Sequence, residues 1–240
     1  MLAGLVGLSC CGPADEQSPT RIEAPPVLDV DVLGSLDLRD PDLYLVDLRD
    51  PPAFARRHLR GSVNLQWGFG QFEQRVGRLF PGSARLVIYD PDPERARQAV
   101  AAARAAGFTD VRGQAADPEL MDLPPELVAT QATLSSEDLD ARRQEGGILV
   151  LDVRTAAEYS AGHIPGAVFV YPDDVRRIAS ALRPDHPVAV ICEAGWRSSM
   201  VASWLTRSGA TEVFNAIGGM RQWQEAGLPV EKGSDQVSFR

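Results

Sequence analysis

One cysteine in the second half of the chain lies where a protein can turn a thiol into a nucleophile. Cys192 follows the apolar run Val188–Ile191, which the pattern predicts to be a buried parallel strand. A helix is predicted to begin near Arg197 and to end at Gly209, a residue type favoured after helices. The N–H groups and the dipole at a helix start favour a thiolate over a thiol, and they also bind anions. The sequence therefore predicts a thiolate nucleophile beside an anion-binding loop.

The residues after the cysteine are the candidates for binding a substrate. They are Glu193, Ala194, Gly195, Trp196, Arg197 and Ser198. Arg197 is suited to an anionic group, but a helix arginine paired with an acid explains it equally well. Ser198 is expected to cap the helix or to donate to the sulfur, and Trp196 either lines the pocket mouth or packs elsewhere. Glu193 is a difficulty, because a carboxylate near a thiolate repels anions. The plain alternative for Cys192 is an inert buried core thiol.

Asp152 ends a predicted strand, Ile148–Asp152, and Arg154 follows it, at the edge where parallel sheets place their ligand sites. Asp47 and Arg49 repeat this pair in the first half of the chain. A pair that recurs without a cysteine is expected to support loops and not to catalyse. The histidines have no spacing relative to Cys192 that indicates a zinc site, so neither a metal nor a cofactor is predicted.

Composition limits the classes of protein to consider. The 240 residues suffice for two domains. The chain carries 33 acidic and 24 basic residues, a net charge of −9, which argues against a general nucleic-acid binder. With only three cysteines, and Cys192 alone in the folded body, a disulfide scaffold is not expected.

The two halves of the chain are copies of each other. Asp47 aligns with Asp152 and Gly61 with Gly166, in both cases 105 residues apart (152 − 47 and 166 − 61). Further along the offset becomes 102, and Asp90 then aligns with Cys192 (192 − 90). A repeat of this length indicates a duplicated domain, because solenoid units are only ~20–50 residues long. The first copy therefore lacks the cysteine, and Pro91 and Pro93 remove N–H groups from its loop.

The second half resembles a rhodanese domain. The motif residues are Asp152, Arg154, Glu158, Tyr159, His163 and Gly166, then Cys192, Gly195, Arg197 and Ser198, and finally Gly218, Gly219, Met220 and Trp223. The resemblance implies an α/β fold in which each domain is a parallel five-stranded sheet flanked by helices. We expect a degenerate copy at residues 27–113, a linker at 114–133 and the cysteine-bearing domain at 134–232.

The resemblance also implies an activity, transfer of a sulfane sulfur through a persulfide on Cys192. The expected partners are a donor such as thiosulfate and a thiophilic acceptor, either cyanide, a small thiol or a protein. A non-catalytic persulfide carrier or protein-binding module is the alternative. A cysteine-dependent phosphatase is less favoured, because four residues separate Cys192 from Arg197 where those enzymes have five.

The N-terminus resembles the end of a bacterial lipoprotein signal. Residues 1–12 are apolar, are too short to span a bilayer and end near Cys10 and Cys11. Residues 13–26 are polar and rich in Pro, Glu and Ser, as a flexible tether would be. We expect a signal peptide, a lipid anchor and the cell envelope. A cytoplasmic protein with a weakly hydrophobic N-terminus is the alternative.

Overall fold

The first half of the protein is a parallel sheet flanked by helices. The structure is a computed structural model and describes residues 36, 40–69, 71–119 and 121–233. The strands are β1 (Leu43–Asp47), β2 (His58–Leu59), β3 (Val63–Asn64), β4 (Arg85–Asp90) and β5 (Val111–Ala115), and the helices are α1 (Pro51–Arg56), α2 (Phe72–Leu79) and α3 (Pro93–Ala105). The described sheet has the order β3-β1-β4-β5, with all pairs parallel.

The segment between the halves is more ordered than a linker. The predicted linker at 114–133 is ordered at both ends, because Gln114 and Ala115 complete β5 and Ala132 begins a strand of the second sheet. Between them, a 3₁₀ turn at Pro125–Leu127 leads into β6 (Val128–Ala129), which pairs antiparallel with β2. The prolines that suggested a linker lie in this turn and before it, where no hydrogen bond between strands needs the N–H group that proline lacks.

The second half contains the five-stranded sheet. Its strands are β7 (Ala132–Leu134), β8 (Leu149–Asp152), β9 (Val168–Phe169), β10 (Val188–Ile191) and β11 (Val213–Ala216), and its helices are α4 (Ser136–Gln144), α5 (Ala156–Ala161), α6 (Val175–Ala181), α7 (Trp196–Arg207) and α8 (Gly219–Glu225). A 3₁₀ turn at Pro172–Asp174 precedes α6. The order is β7-β11-β10-β8-β9, with all pairs parallel. The strand predicted to precede Cys192 is therefore the central one.

The α/β fold with parallel sheets is confirmed in both halves. A five-stranded parallel sheet was expected in each half, and among the described residues the parallel sheet of the first half has four strands, with β2 paired instead to β6. By the 105-residue offset, the counterpart of β7 would fall at residues 27–29, outside the described residues. The predicted signal, tether and lipid anchor at residues 1–26 also lie outside them and stay predictions. Within the described part of the chain, no helix is long and apolar enough to cross a membrane.

Helix α7 joins the two halves. Its outer residues pack against β3 of the first sheet, and the Trp204 indole stacks on Tyr44 with ring centres 5.5 Å apart. The Ser203 hydroxyl accepts from the backbone N–H of Asn64 at 3.0 Å, and the Ser199 hydroxyl donates to the Asn64 side-chain oxygen at 2.7 Å. These groups are buried, so the hydrogen bonds satisfy atoms that would otherwise destabilise the interface. The helix that begins at the candidate site is thus held from the other domain.

Candidate active site

Cys192 lies directly after β10 and is completely buried. Its Sγ accepts a hydrogen bond from the backbone N–H of Gly195 at 3.1 Å and lies 3.4 Å from the Ser198 hydroxyl. A negative sulfur is the better acceptor for both donors. The loop therefore places one backbone N–H against Sγ, and the Ser198 hydroxyl is close enough to donate to the sulfur.

The start of α7 is suited to bind a negative charge. Gly195 precedes the helix with φ +97°, a left-handed conformation that favours glycine, and it has no side chain to cap the helix. The first N–H groups of any helix lack partners within the helix. Here they belong to Trp196 and the residues after it, on the same loop as Cys192. The helix start therefore offers its positive end to whatever the sulfur carries.

Helix α8 holds the Cys192 loop through backbone hydrogen bonds. The backbone N–H groups of Met220 and Arg221 donate to the carbonyls of Cys192 (2.8 Å) and Glu193 (3.3 Å). Gly219 has φ +64°, and a Cβ placed on it would lie 2.3 Å from the Cys192 carbonyl oxygen. Asn215, at the end of β11, donates from its amide to the Gly195 carbonyl at 3.3 Å. Sequence reasoning assigned no role to Gly219 or Asn215, although the Gly218-Gly219 pair was visible as a motif.

Arg197 is held by Glu158. Its two terminal nitrogens donate to the two carboxylate oxygens of Glu158 at 3.0 and 2.8 Å, and its Nε is buried without a hydrogen-bond partner. Glu158 is itself fixed by a capping box with Thr155 at the start of α5. The hydrogen bonds from Arg197 are the largest cause that lowers the pKa of Glu158 to about 2. The acid-paired alternative for Arg197 is thus realised, while Arg197 still borders the cysteine loop. Glu158 belonged to the quoted motif, but its role was missed.

The other loop residues are placed as follows. Glu193 is half-exposed, and its carboxylate lies 3.7 Å from Arg154, which offsets the repulsion expected next to the sulfur. Ala194 is exposed at the tip of the loop. Trp196 is half-buried and stacks on Phe69 of the first domain, with ring centres 4.7 Å apart and planes 7° apart. Trp196 is thus in contact with both halves of the protein.

Asp152 and Arg154 support the loop after β8. Arg154 donates from Nε and Nη2 to the Asp152 carboxylate at 3.0 and 2.7 Å, and from Nη2 to the Gly162 carbonyl at 2.6 Å. Asp47 and Arg49 repeat this geometry, with Nε and Nη2 distances of 3.1 and 2.7 Å. Both pairs are buried. A geometry that recurs in the domain without a cysteine fits the predicted supporting role.

The histidines also repeat. His163 stacks on Tyr159 with ring centres 3.7 Å apart, and His58 stacks on Phe54 at 3.8 Å. Each His Nδ1 hydrogen-bonds the backbone carbonyl of its stacking partner. These rings are structural parts of each domain. Among the described residues, no group of three or more His, Cys, Asp and Glu side chains is arranged to hold a metal ion.

The corresponding loop of the first domain has a different chemistry. Asp90 occupies the position of Cys192 and is completely buried. Its Oδ1 accepts from the backbone N–H of Asp92 (2.8 Å) and from Arg95 (3.0 and 2.7 Å). The Asp92 side chain then caps α3 by accepting from the N–H groups of Glu94 and Arg95. The N–H groups at the start of α3 therefore already have a side-chain partner, and this loop carries no thiol.

Sequence comparison identifies the family. The pattern of the Rhodanese-like domain matches residues 32–113 and, a second time, residues 135–226. The chain belongs to the rhodanese-like family. Two copies in one chain make it a tandem rhodanese-family protein, as the duplicated motifs predicted.

Individual relatives match parts of this rhodanese-family chain. It is 38% identical over 74 residues to YrkF of Bacillus subtilis, a proposed sulfur carrier protein, and this match spans 31% of the chain and 40% of YrkF. It is 35% identical over 88 residues to the thiosulfate sulfurtransferase GlpE of Actinobacillus succinogenes, across 37% of the chain and 79% of GlpE. The solved thiosulfate sulfurtransferase of Pseudomonas aeruginosa overlaps 89% of the chain and 42% of its own length, at 25% identity and TM-score 0.42.

Proposed function

We propose that this protein is a sulfurtransferase that moves a sulfane sulfur through a persulfide on Cys192. The donor is a compound such as thiosulfate, and the acceptor is a thiol or cyanide. The observation that carries the proposal is the hydrogen bond from the Gly195 N–H to Cys192 Sγ, in a loop that leads directly into the start of α7. A soft sulfur nucleophile and an anion-binding loop are what transfer between sulfur atoms requires.

The reaction divides into two displacements at sulfur. The Cys192 thiolate attacks the outer sulfur of thiosulfate, the sulfur–sulfur bond of thiosulfate breaks, and sulfite leaves with the bonding electron pair. The product is Cys192–S–S⁻. The acceptor then attacks the outer sulfur of this persulfide, and Cys192 leaves as a thiolate. Atoms, charge and electrons balance without an external oxidant or reductant.

The loop donors supply the electrostatic part of this mechanism. In the resting state, the Gly195 N–H and the Ser198 hydroxyl interact with Cys192 Sγ. When the persulfide forms, the negative charge moves outward by one sulfur atom, toward the helix-start N–H groups of α7. A dipole fixed before the reaction stabilises this charge without reorganisation. The proposal also agrees with the activity named for the GlpE relative.

Access to the sulfur is restricted. Cys192 is completely buried, whereas Ala194 at the loop tip is exposed and Glu193 is half-exposed. Groups around Sγ must therefore move before a donor reaches the thiolate, and small donors are favoured over bulky ones. A persulfide shielded in this way is also protected from loss to solvent.

A persulfide carrier is the second candidate function, favoured by the similarity to YrkF. A carrier would accept sulfur on Cys192 but would release it to one protein acceptor and turn over poorly with small thiols. Steady-state turnover of thiosulfate with cyanide separates the two functions. We expect turnover with parallel double-reciprocal plots, as a two-step displacement gives, and none for Cys192→Ser. A wild-type protein that forms the persulfide without turnover would be a carrier, and one that forms none would exclude both functions.

A further inference from the structure

Asn64 is a buried polar residue at the contact between the two domains. It ends β3 and is completely buried. Its equivalent in the second domain is Phe169, 105 residues later (169 − 64), and each lies beside the aspartate that ends the neighbouring strand. An apolar ring is therefore sufficient at this strand position. Because a buried amide costs free energy unless its atoms are hydrogen-bonded, the partners of Asn64 indicate its role.

The Asn64 amide links a loop of the first domain to helix α7 of the second. Its Nδ2 donates to the backbone carbonyls of Asp47 and Arg49 at 3.3 and 2.9 Å. Its Oδ1 accepts from the Ser199 hydroxyl at 2.7 Å. The same hydroxyl lies 3.1 Å from the Gln131 side-chain oxygen, and Gln131 Nε2 donates to the Ser199 carbonyl at 3.3 Å. Ser199 is therefore held by side chains from outside its own helix.

Ser199 is one backbone hydrogen bond away from the residue that donates to the sulfur. Its N–H donates to the Gly195 carbonyl at 3.0 Å, and the Gly195 N–H donates to Cys192 Sγ at 3.1 Å. The Gly195 carbonyl also accepts from the Asn215 amide at 3.3 Å. Since glycine has no side chain to pack, its orientation depends on these hydrogen bonds. A continuous chain of hydrogen bonds thus runs from Asn64 of the first domain to the sulfur of Cys192.

The matching helix of the first domain carries other residues at these positions. By the 102-residue offset, Ser199 and Ser203 of α7 correspond to Arg97 and Ala101 of α3 (199 − 97 and 203 − 101). Both serines are buried, whereas neither residue of α3 is. The two hydroxyls of α7 therefore serve the contact between the domains and are not a requirement of the fold that both copies share.

We propose that Asn64 is a positioning residue for sulfur transfer, which acts through Ser199 to fix the Gly195 N–H against the sulfur. This inference rests on the proposed sulfurtransferase function. When the acceptor attacks the persulfide, Cys192 leaves as a thiolate and negative charge develops on Sγ, the atom that this N–H faces. A donor that is fixed before the reaction stabilises this charge without reorganisation. The degenerate domain thus keeps the cysteine loop of the second domain in its reactive geometry.

The test follows sulfur as it leaves the loaded protein. Persulfide is formed on Cys192 with thiosulfate, the protein is desalted, and cyanide is added while the intact mass records the loss of the extra sulfur. The rate constant describes loaded molecules alone, so a variant that merely folds less well has the wild-type value. We expect Ser199→Ala and Asn64→Ala each to lower this rate constant about fivefold, as loss of an ordinary hydrogen bond predicts. The double variant should be no slower than the slower single variant, because both changes break the same chain.

Ser203→Ala is the matched control for Ser199→Ala. It also removes a buried hydroxyl of α7 that bonds Asn64 across the domain contact, where Ser203 Oγ accepts from the Asn64 backbone N–H at 3.0 Å. Ser203 lies about one helical turn further from the sulfur than Ser199. Ser203→Ala should therefore lower the temperature of thermal unfolding about as much as Ser199→Ala, and it should leave the rate constant unchanged.

Failure of the positioning role is distinct from failure of the proposed function. Equal rate constants in Ser199→Ala and Ser203→Ala would overturn the positioning role and leave the sulfurtransferase intact. A wild-type rate constant in Asn64→Ala would do the same. A wild-type protein that takes up no sulfur from thiosulfate would overturn the proposed function itself. If Asn64→Ala does not fold, Ser199→Ala decides, because it removes one oxygen atom and leaves the helix backbone in place.

Discussion

Arg95 and Arg197 occupy equivalent positions in the two copies, 102 residues apart, yet they bind different carboxylates. Arg197 pairs with Glu158 and borders the Cys192 loop, whereas Arg95 pairs with Asp90, the residue that stands in place of the cysteine. The counterpart of Glu158 in the first domain is Ala53, 105 residues earlier. Arg95 therefore has no acid on α1 to hold it. In the first domain, a carboxylate paired with Arg95 therefore stands at the position of the cysteine. In the second domain, Arg197 is paired with Glu158 and not with Cys192.

This difference predicts how the first site responds to a restored thiol. In a Cys192→Ser background, Asp90→Cys alone should not form a persulfide with thiosulfate, because the Asp92 side chain still occupies the N–H groups of Glu94 and Arg95. Adding Asp92→Ala and Pro93→Gly, which copies the Ala194-Gly195 loop, should restore part of the reaction. Intact mass measures the added sulfur. Efficient persulfide formation in Asp90→Cys alone would contradict the argument from loop donors.

Gly219 should be essential for the geometry of the cysteine loop. A methyl group there would meet the Cys192 carbonyl at 2.3 Å, at a residue with φ +64°. We expect Gly219→Ala to lower sulfur-transfer turnover at least tenfold. Gly227→Ala is the matched control, with φ +67° and open space around the added Cβ. It should lose about 1–2 kcal/mol of unfolding free energy from the left-handed conformation alone and retain turnover. Equal turnover in the two variants would show that turnover does not depend on the close contact of Gly219 with the Cys192 carbonyl.

Glu158→Gln tests the ion pair between Glu158 and Arg197. It keeps the capping box, because Gln also serves at that position. At pH 7 the loss in unfolding free energy should be about 1 kcal/mol or less, since the pair is partly exposed. The wild-type pair stabilises the fold above the ordinary pKa of a glutamate, about 4.5, and this contribution is lost as the pH falls toward about 2. The variant should lack that part of the acid sensitivity. The KM for thiosulfate should rise, because Arg197 loses its fixed orientation. Unchanged KM and acid sensitivity would show that the pair is incidental.

His58 should make the first domain sensitive to mild acid. Burial lowers the pKa of His58 to about 4, from an ordinary value of 6.5. Between these pH values His58 binds a proton in the unfolded chain but not in the folded chain. The free energy of unfolding therefore falls as the pH falls, by at most about 3 kcal/mol. His58→Phe keeps a ring against Phe54 and should flatten this slope. Denaturant titrations from pH 7 to 4 measure it, and equal slopes for the two proteins would refute the assignment.

Much of this architecture follows from local sequence. The central strand before Cys192 is a continuous apolar run, the repeat aligns residues at fixed offsets, and the glycines mark the loop and helix ends. These signals are carried by neighbours in the chain, so they predict the two domains and the position of the thiol. They also predict that Asp152 and Arg154 support the fold, because Asp47 and Arg49 repeat them.

The features that escaped prediction depend on contacts between distant segments. Nothing local marks Gly219 as the residue that lies against the Cys192 carbonyl, because 27 residues separate them (219 − 192). The stack of Phe69 on Trp196 and the hydrogen bond between Asn64 and Ser199 arise only when the two domains pack. The prolines of residues 114–133 suggested a linker. Turns and edge strands also accept proline, so composition alone does not distinguish them from a linker.

The most direct measurement of the central claim is the mass of the protein after treatment with thiosulfate. The full chain is incubated with thiosulfate and desalted, its intact mass is recorded, and fragmentation then locates the modification. Cys192→Ser retains Cys10 and Cys11 and serves as the matched control. We predict one added sulfur atom on Cys192 of the wild type, removed by cyanide with release of thiocyanate, and none on the variant. An unmodified wild-type protein, or added sulfur on Cys192→Ser to the same extent, would contradict the proposed mechanism.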